Sequence, residues 1–305
     1  MSSRPRPILI DLPLHIKKKI VHHVDVNTRF QLRNCSSEYR NIADNIPTDY
    51  TNVSFRYRKR SPDGAHDGYE FTVTTENSRF YRDFRDFSRV QSMDLFQKHL
   101  SRFLKNPKAE FEKFHCATAH FPYDQLNAAF YSSTQKLAVK NLSLKKCIHP
   151  NAEYLNSIFP YLKPGYLEHM DLGYISGYTN LAQITELEQF KQAKSAVIRG
   201  EALYIPIAKL LHLQRFECTY WQYLSVETVQ TIIDNALRQG EKFERWELRT
   251  LNCNESIEDH FETHCTFNVP NSDHRLTFAH DGETFYLTNE ARRRATDTDM
   301  FFVDF

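Results

Sequence analysis

A spaced apolar triplet recurs along the middle of this chain, and no other feature of the sequence restricts its fold as much. The pattern apolar-x-x-apolar-x-apolar occurs at Phe111, Phe114 and Cys116, at Val139, Leu142 and Leu144, and at Leu167, Met170 and Leu172. It returns at Leu213, Phe216 and Cys218 and at Phe243, Trp246 and Leu248, with a poorer copy at Ala193, Ala196 and Ile198. Counted from the middle position, successive copies lie 28, 28, 26, 20 and 30 residues apart. The last two members of each triplet have the period-2 spacing of a strand with one buried face. A repeat of this length marks one structural unit used many times, each unit burying its apolar face on its neighbours.

Between the copies the spacing turns helical. The clearest case is Val226, Val229, Ile232, Ile233, Ala236 and Leu237, with Ser225 placed to cap its start, Glu227 in the first turn and Gly240 past its end. Similar spacing predicts helices near 93–104, 125–130, 152–162, 181–190 and 205–211, the last with Pro206 at a first-turn position. Strand then helix every 20 to 30 residues is the pattern of a leucine-rich-repeat solenoid. The Asn/Cys step of such repeats is largely missing, with Cys147 alone at the expected place. The competing arrangement is an irregular α+β domain, in which any buried strand shows the same alternation.

Hairpins are predicted near both ends of this body. Val53, Phe55 and Tyr57 alternate, as do Tyr69, Phe71 and Val73, with the turn-rich Ser61-Pro62-Asp63-Gly64 between them. Arg56, Arg58 and Arg60 occupy the opposite face, with Lys59 nearby, and read as a solvated strand face. Leu276 and Phe278, then Asp281-Gly282, then Phe285 and Leu287 give a second hairpin, suited to capping the open end of a repeat array.

The first forty-five residues follow a different pattern. Ile16, Ile20 and Val24 share one helical face, Pro13 suits the helix start, and Lys17, Lys18 and Lys19 are expected to face water. After a break at 25–28, with Asn27 or Thr28 as cap, come a segment holding Phe30, Leu32 and Cys35 and a third holding Tyr39, Ile42 and Ala43. Ser36 or Ser37 caps the third, and Pro47 ends it. Three such helices bury too little apolar surface to stand alone without a disulfide or metal. They must lean on the rest of the chain or on a partner whose groove takes an amphipathic stripe.

Residues 12–44 resemble an F-box. The signature opens with Leu12-Pro13, continues through Ile16, Ile20 and Val24, and reaches Leu32, the Cys35-Ser36 step and the aromatic–Arg pair Tyr39-Arg40. His15 stands where an acidic residue is common, Val24 where Leu is usual and Tyr39 where Trp is usual. The resemblance implies docking onto a Skp-family adaptor, and through it a cullin ubiquitin ligase, by Leu12, Pro13, Ile16, Ile20, Val24, Leu32, Cys35 and Tyr39. The run Phe159-Pro160-Tyr161-Leu162-Lys163-Pro164-Gly165-Tyr166-Leu167-Glu168 is similar to a hallmark of the FTH domain, the partner of F-boxes in a family expanded in nematodes. Arg215-Phe216-Glu217-Cys218 through Ser225-Val226 to Leu237 is similar to a second block of it. That resemblance implies a target-binding domain of divergent leucine-rich-repeat character. An F-box-type adaptor outside ubiquitination, tethering for example an RNA-binding protein, stays open beside the ligase reading.

The expected architecture is α+β: a short three-helix F-box at 8–48, a β-hairpin region at 49–90, an FTH, leucine-rich-repeat-like α/β solenoid at 91–290 and a flexible tail at 291–305. On a solenoid the side chains between the apolar strand positions face the concave surface, which makes His115, Ser143, Asp171, Glu217 and Glu247 candidates for contact with a target protein.

Other functions find little support. Thirty-nine basic residues nearly cancel 38 acidic ones, giving a formal net charge of +1. Binding nucleic acid through phosphates requires a concentrated positive excess and would weaken steeply with salt. Arg79-Phe80-Tyr81-Arg82, with Arg85 and Arg89, interleaves aromatics with cations, but Asp83 and Asp86 interrupt it. There is no GxSxG elbow, GxxxxGK[ST] loop or GxGxxG turn. His260 and His264 lie four apart but lack the Glu that follows the first His of a zincin. The adjacent pairs His22-His23 and His115-Cys116, and the close pair Cys147 and His149, do not converge on one metal. No enzyme activity, metal or cofactor is expected. No stretch reaches the roughly 20 apolar residues of a membrane span. No long apolar run follows the N-terminus, so no secretory signal is expected. Six cysteines without CxxC pairing read as reduced thiols of the cytoplasm or nucleus.

Overall fold

The computed structural model describes residues 9–46, 48–58, 68–76, 78–83, 89–104, 109–117, 128, 130–131, 136–145, 158–175, 182–200, 205–221, 224–250, 255–281 and 283–291. The expected turn at Ser61-Pro62-Asp63-Gly64, Pro47, Lys59, Arg60, Cys147, most of the predicted helices 125–130 and 152–162, and the tail from 292 lie outside these residues. The chain divides into two compact units, one holding 1–118, 122–141 and 161–163 and the other 119–121, 142–160 and 164–305.

Three helices open the first unit: α1 (Leu14–His23), α2 (Val26–Cys35) and α3 (Ser37–Asn45). Asp25 caps α2, rather than Asn27 or Thr28, because its carboxylate accepts the Thr28 N–H and hydroxyl, each at 2.9 Å. Ser36 ends α2 and caps α3, its hydroxyl accepting the Tyr39 N–H at 3.2 Å. The short strand β1 (Thr48–Tyr50) follows. The predicted hairpin pairs β2 (Asn52–Arg58) with β3 (Gly68–Thr75), and the alternation sets its register: Val53 faces Val73, Phe55 faces Phe71 and Tyr57 faces Tyr69. A strand that sequence reading did not separate, β4 (Ser78–Asp83), returns against β3. Helix α4 (Arg89–Leu104) places Phe96 on this sheet, its ring 4.0 Å from that of Phe55 and 5.6 Å from that of Phe71. Strand β5 (Ala109–Ala117), carrying the first triplet, then runs parallel to both β1 and β2.

The residues of β6 (Ala138–Lys145) are shared between the two units. In the second unit β7 (His169–Ile175), β8 (Ser195–Gly200), β9 (Arg215–Trp221) and β10 (Arg245–Thr250) pair in parallel in chain order. The recurring triplets fall into register there. Met170, Ala196, Phe216 and Trp246 form one row, and Leu172, Ile198, Cys218 and Leu248 the next, all buried. The turns into these strands repeat as well. The Glu168 carbonyl accepts the N–H groups of Lys194 and Ser195, that of Lys194 those of Gln214 and Arg215, and that of Gln214 those of Glu244 and Arg245.

The connecting helices are shorter than their spacing suggests. The segment 181–190 gives two single turns, Ala182–Thr185 and Glu188–Lys191, because Leu187 between them is extended. The segment 205–211 gives only the 3-10 turn Ile207–Lys209, opened by an extended Pro206. The full helix is α5 (Val226–Gln239), which begins at Ser225 and ends at Gly240, whose positive φ of 60° suits glycine. Asn235 and Gln239 of α5 both donate to the Leu211 carbonyl at 2.7 Å, and the buried Trp246 indole donates to the Leu213 carbonyl at 3.1 Å. After α6 (Glu255–His260), three antiparallel strands, β11 (His264–Asn268), β12 (Arg275–His280) and β13 (Thr284–Asn289), extend this sheet from β10, with the predicted hairpin at β12–β13. The chain is thus α+β, helical at its N-terminus and mostly sheet beyond it.

Candidate adaptor-docking site

The three opening helices enclose a small core of Val21, Leu32, Tyr39, Ile42 and Ala43, with Ile20, Val24 and Ile46 packed partly against it. The Tyr39 hydroxyl donates to the Leu9 carbonyl at 2.8 Å, tying down the 3-10 turn Leu9–Asp11 that precedes α1. The Arg33 guanidinium forks onto both oxygens of Asp44, at 2.6 and 3.0 Å, and joins the ends of α2 and α3.

One sequence expectation is corrected here. Lys18 and Lys19 are exposed, but Lys17 is buried at 5% exposure. With Val21 it occupies the centre of the inward face of α1. Its stem lies beside Tyr39, with the ammonium 5.9 Å from the ring centroid, and the ammonium pairs with Glu38 of α3. The true inward stripe is therefore rotated from Ile16, Ile20 and Val24, which sit half-buried along one flank of α1.

The residues expected to meet an adaptor separate into two groups. Leu32 and Tyr39 lie inside the helical core, where they hold the helices together. Pro13 and Cys35 are exposed, and Leu12, Ile16, Ile20 and Val24 are half-buried. Two apolar residues that sequence reading passed over are more open still: Leu9 at 48% and Leu14 at 49% exposure. On the other flank of α1, Leu14, Lys18 and His22 face α3 across a groove of about 660 Å³, which also takes in Lys19, Ile42 and Ile46. The i, i+4, i+8 spacing of Leu14, Lys18 and His22 is visible in the sequence, but the groove exists only because α3 returns beside it.

The module is seated on the sheet of the first unit. The rings of Phe30 (α2) and Phe80 (β4) lie 5.3 Å apart, the Asn27 amide donates to the Arg79 carbonyl at 2.9 Å, and Arg29 donates to the Thr48 hydroxyl at 2.9 Å. Burial pushes the neighbouring Tyr50 phenol up to about 12, against the pull of Arg29, so the phenol is neutral at physiological pH.

The expected target-contact residues also divide. Asp171, Glu217 and Glu247 share one register row across β7, β9 and β10, half-exposed on the face opposite the triplets. Each is held by an arginine: Arg199 for Asp171, Arg215 for Glu217 and Arg245 for Glu247, with Lys145 also 3.7 Å from Asp171. His115 and Ser143 are buried instead, at 4% and 6% exposure, and present no open surface. His260 ends α6 while His264 begins β11, so no single helix presents both. Among the described residues, no group of three or more His, Cys, Asp or Glu side chains could hold a metal ion. No described helix is long and apolar enough to cross a membrane.

Comparison with known families settles what these parts are. The F-box domain model matches residues 9–49, from the turn before α1 into β1, and the FTH domain model matches residues 122–271, from before β6 to just past β11. The chain is an F-box protein with a C-terminal FTH domain. No curated protein matches it. The F-box thus comprises the core of Val21, Leu32, Tyr39, Ile42 and Ala43, and the FTH domain contains the parallel strands β7–β10 with their acidic row.

Proposed function

We propose that this F-box protein is the substrate-recognition subunit of a Skp–cullin–F-box ubiquitin ligase, in which the F-box holds a Skp-family adaptor and the FTH domain holds a target protein. The observation that carries the reading is the apolar surface the F-box leaves open. Its core is closed, yet Leu9 and Leu14 are half exposed and Ile16, Ile20 and Val24 are only half-buried. An amphipathic partner covering this surface would gain most from such apolar anchors, with the lysines as rim. The FTH domain, read as a divergent leucine-rich-repeat-like solenoid, supplies a broad polar sheet face with Asp171, Glu217 and Glu247 as its contact row; the five triplets within it and the repeated carbonyl turns support that reading. Parallel sheets are ordinarily covered on both faces, so a half-exposed polar face on β7–β10 is a surface suited to a guest.

The chain itself makes and breaks no bond. It raises the target's effective concentration beside the ubiquitin-charged enzyme. Reduced thiols at Cys35, Cys116, Cys218 and Cys265 fit work in the cytoplasm or nucleus. Co-purification with a Skp-family adaptor tests the proposal, comparing wild type with the double variant Ile16→Asp, Ile20→Asp, whose helical content is checked by circular dichroism. Loss of the adaptor by a folded variant is expected. Equal recovery of adaptor by both proteins removes the reading.

A further inference from the structure

We infer that β11 pairs with β11 of a second copy of this chain, joining two FTH domains in one continuous sheet about a two-fold axis at Thr266. Among the described residues, β11 is the outermost strand of the second unit's sheet and pairs with β12 alone. A strand so placed offers a row of main-chain donors and acceptors, which proteins ordinarily blunt with charge, proline or a covering element. The outer strand of the first unit's sheet, β4, is blunted in this way. Its Arg79 and Arg82 are exposed, and the Asn27 amide of α2 already donates to the Arg79 carbonyl. The five residues of β11, His264-Cys265-Thr266-Phe267-Asn268, include no Lys, Arg, Asp, Glu or Pro.

The strand's chemistry fits its own copy. Antiparallel pairing centred on Thr266 sets Thr266 against Thr266, Cys265 against Phe267 and His264 against Asn268. The two central pairings already operate inside this sheet: Thr266 faces Thr277, which faces Thr288, and Cys265 faces Phe278. On the triplet face, Cys265 and Phe267 adjoin the buried Phe278 and Leu276 yet stay half-exposed, so the apolar layer ends unfinished at this edge. A second copy continues it, sulfur against ring. On the opposite face the threonine row runs on to Arg245 of β10, beside Glu247, so the pairing brings both acidic rows to one side of the joined sheet. Pro270 lies just past the strand and limits the ladder to about five residues per copy. So short a contact falls below the roughly 1,200 Å² of a standard interface, and the association is weak, with Kd on the order of 10 μM.

Sedimentation velocity of the full chain from about 1 to about 200 μM, with hydrogen exchange of β11 over the same range, tests the inference. The expected result is a monomer–dimer equilibrium in which the β11 amides gain protection as the dimer forms. Thr266→Lys, which opposes two cations at an exposed position, should weaken association at least about fivefold, and Thr266→Val should keep it within about twofold. A second pair of variants reads the register independently of how well Thr266→Lys folds. His264→Glu with Asn268→Glu should abolish the dimer, whereas His264→Lys with Asn268→Glu sets opposite charges face to face and should retain it. A chain that stays monomeric throughout overturns the inference, whether its β11 is already protected or becomes protected only by a different protein. A dimer indifferent to all these charges also overturns it, because the contact then lies elsewhere.

Discussion

Lys17 is the residue that departs furthest from its apparent role. Its position among lysines suggests a solvated side chain, yet it is buried between Val21 and Tyr39 and paired with Glu38. Burying an ammonium is tolerable only with a partner, and a well-shaped apolar side chain often serves as well or better. Lys17→Met should therefore leave stability unchanged or raise it by about 1 kcal/mol, since Glu38 is partly open to water and tolerates its loss. Glu38→Gln should cost about 2 kcal/mol, because it leaves the buried cation without its counter-charge. Denaturant unfolding of the two variants decides the matter. If Lys17→Met is the more damaging, the pair is holding the helices by attraction and the account is wrong.

At the level of the element, caps and alternation explain most of what forms. The α2 cap is Asp25, and Asp25→Ala should cost about 1 kcal/mol, seen as a lower denaturation midpoint of the F-box. The Thr28 N–H holds the Asp25 carboxyl below its ordinary value. The cap's contribution is therefore present in full above the usual carboxylate range and fades as pH falls through the lowered value; the Ala variant should lack that part of the acid sensitivity. Sequence alone put the break at 25–28 and the cap at Asn27 or Thr28, whereas the chain breaks at Val24 and Asp25 and Val26–Thr28 already belong to α2, because Asp25, Asn27 and Thr28 are all competent caps and only the path of the chain chooses among them. The strands were legible from the triplets because burial on one face forces a period of two. Strand β4 was not, since of its Arg79-Phe80-Tyr81-Arg82 run only Phe80 is buried and the rest is open. The short helices around 182–191 and 207–209 were overestimated because apolar spacing records which residues face inward without fixing where the backbone turns extended. In the docking site, Ile16, Ile20 and Val24 could be read from one helix, whereas the groove joins side chains more than 20 residues apart and is written in no single segment.

On the scale of the molecule, the three F-box helices are held to the sheet of their own unit by Phe30 against Phe80, Asn27 to the Arg79 carbonyl and Arg29 to the hydroxyl of Thr48 in β1. Phe30→Ala should lower stability by about 2 kcal/mol, less than for a fully buried phenylalanine because Phe30 is half-exposed. Hydrogen exchange should show α2 and β4 losing protection together. Loss confined to α2 would mean that the two are neighbours without being coupled. The seat has a mechanical consequence. A cargo carried by these three helices does not hang on a slack tether: its heading follows β1 and β4, on which α2 rests, as a tool's aim is dictated by the vice that clamps it. Loosening that clamp would change where the cargo points before it changed how tightly the cargo is held.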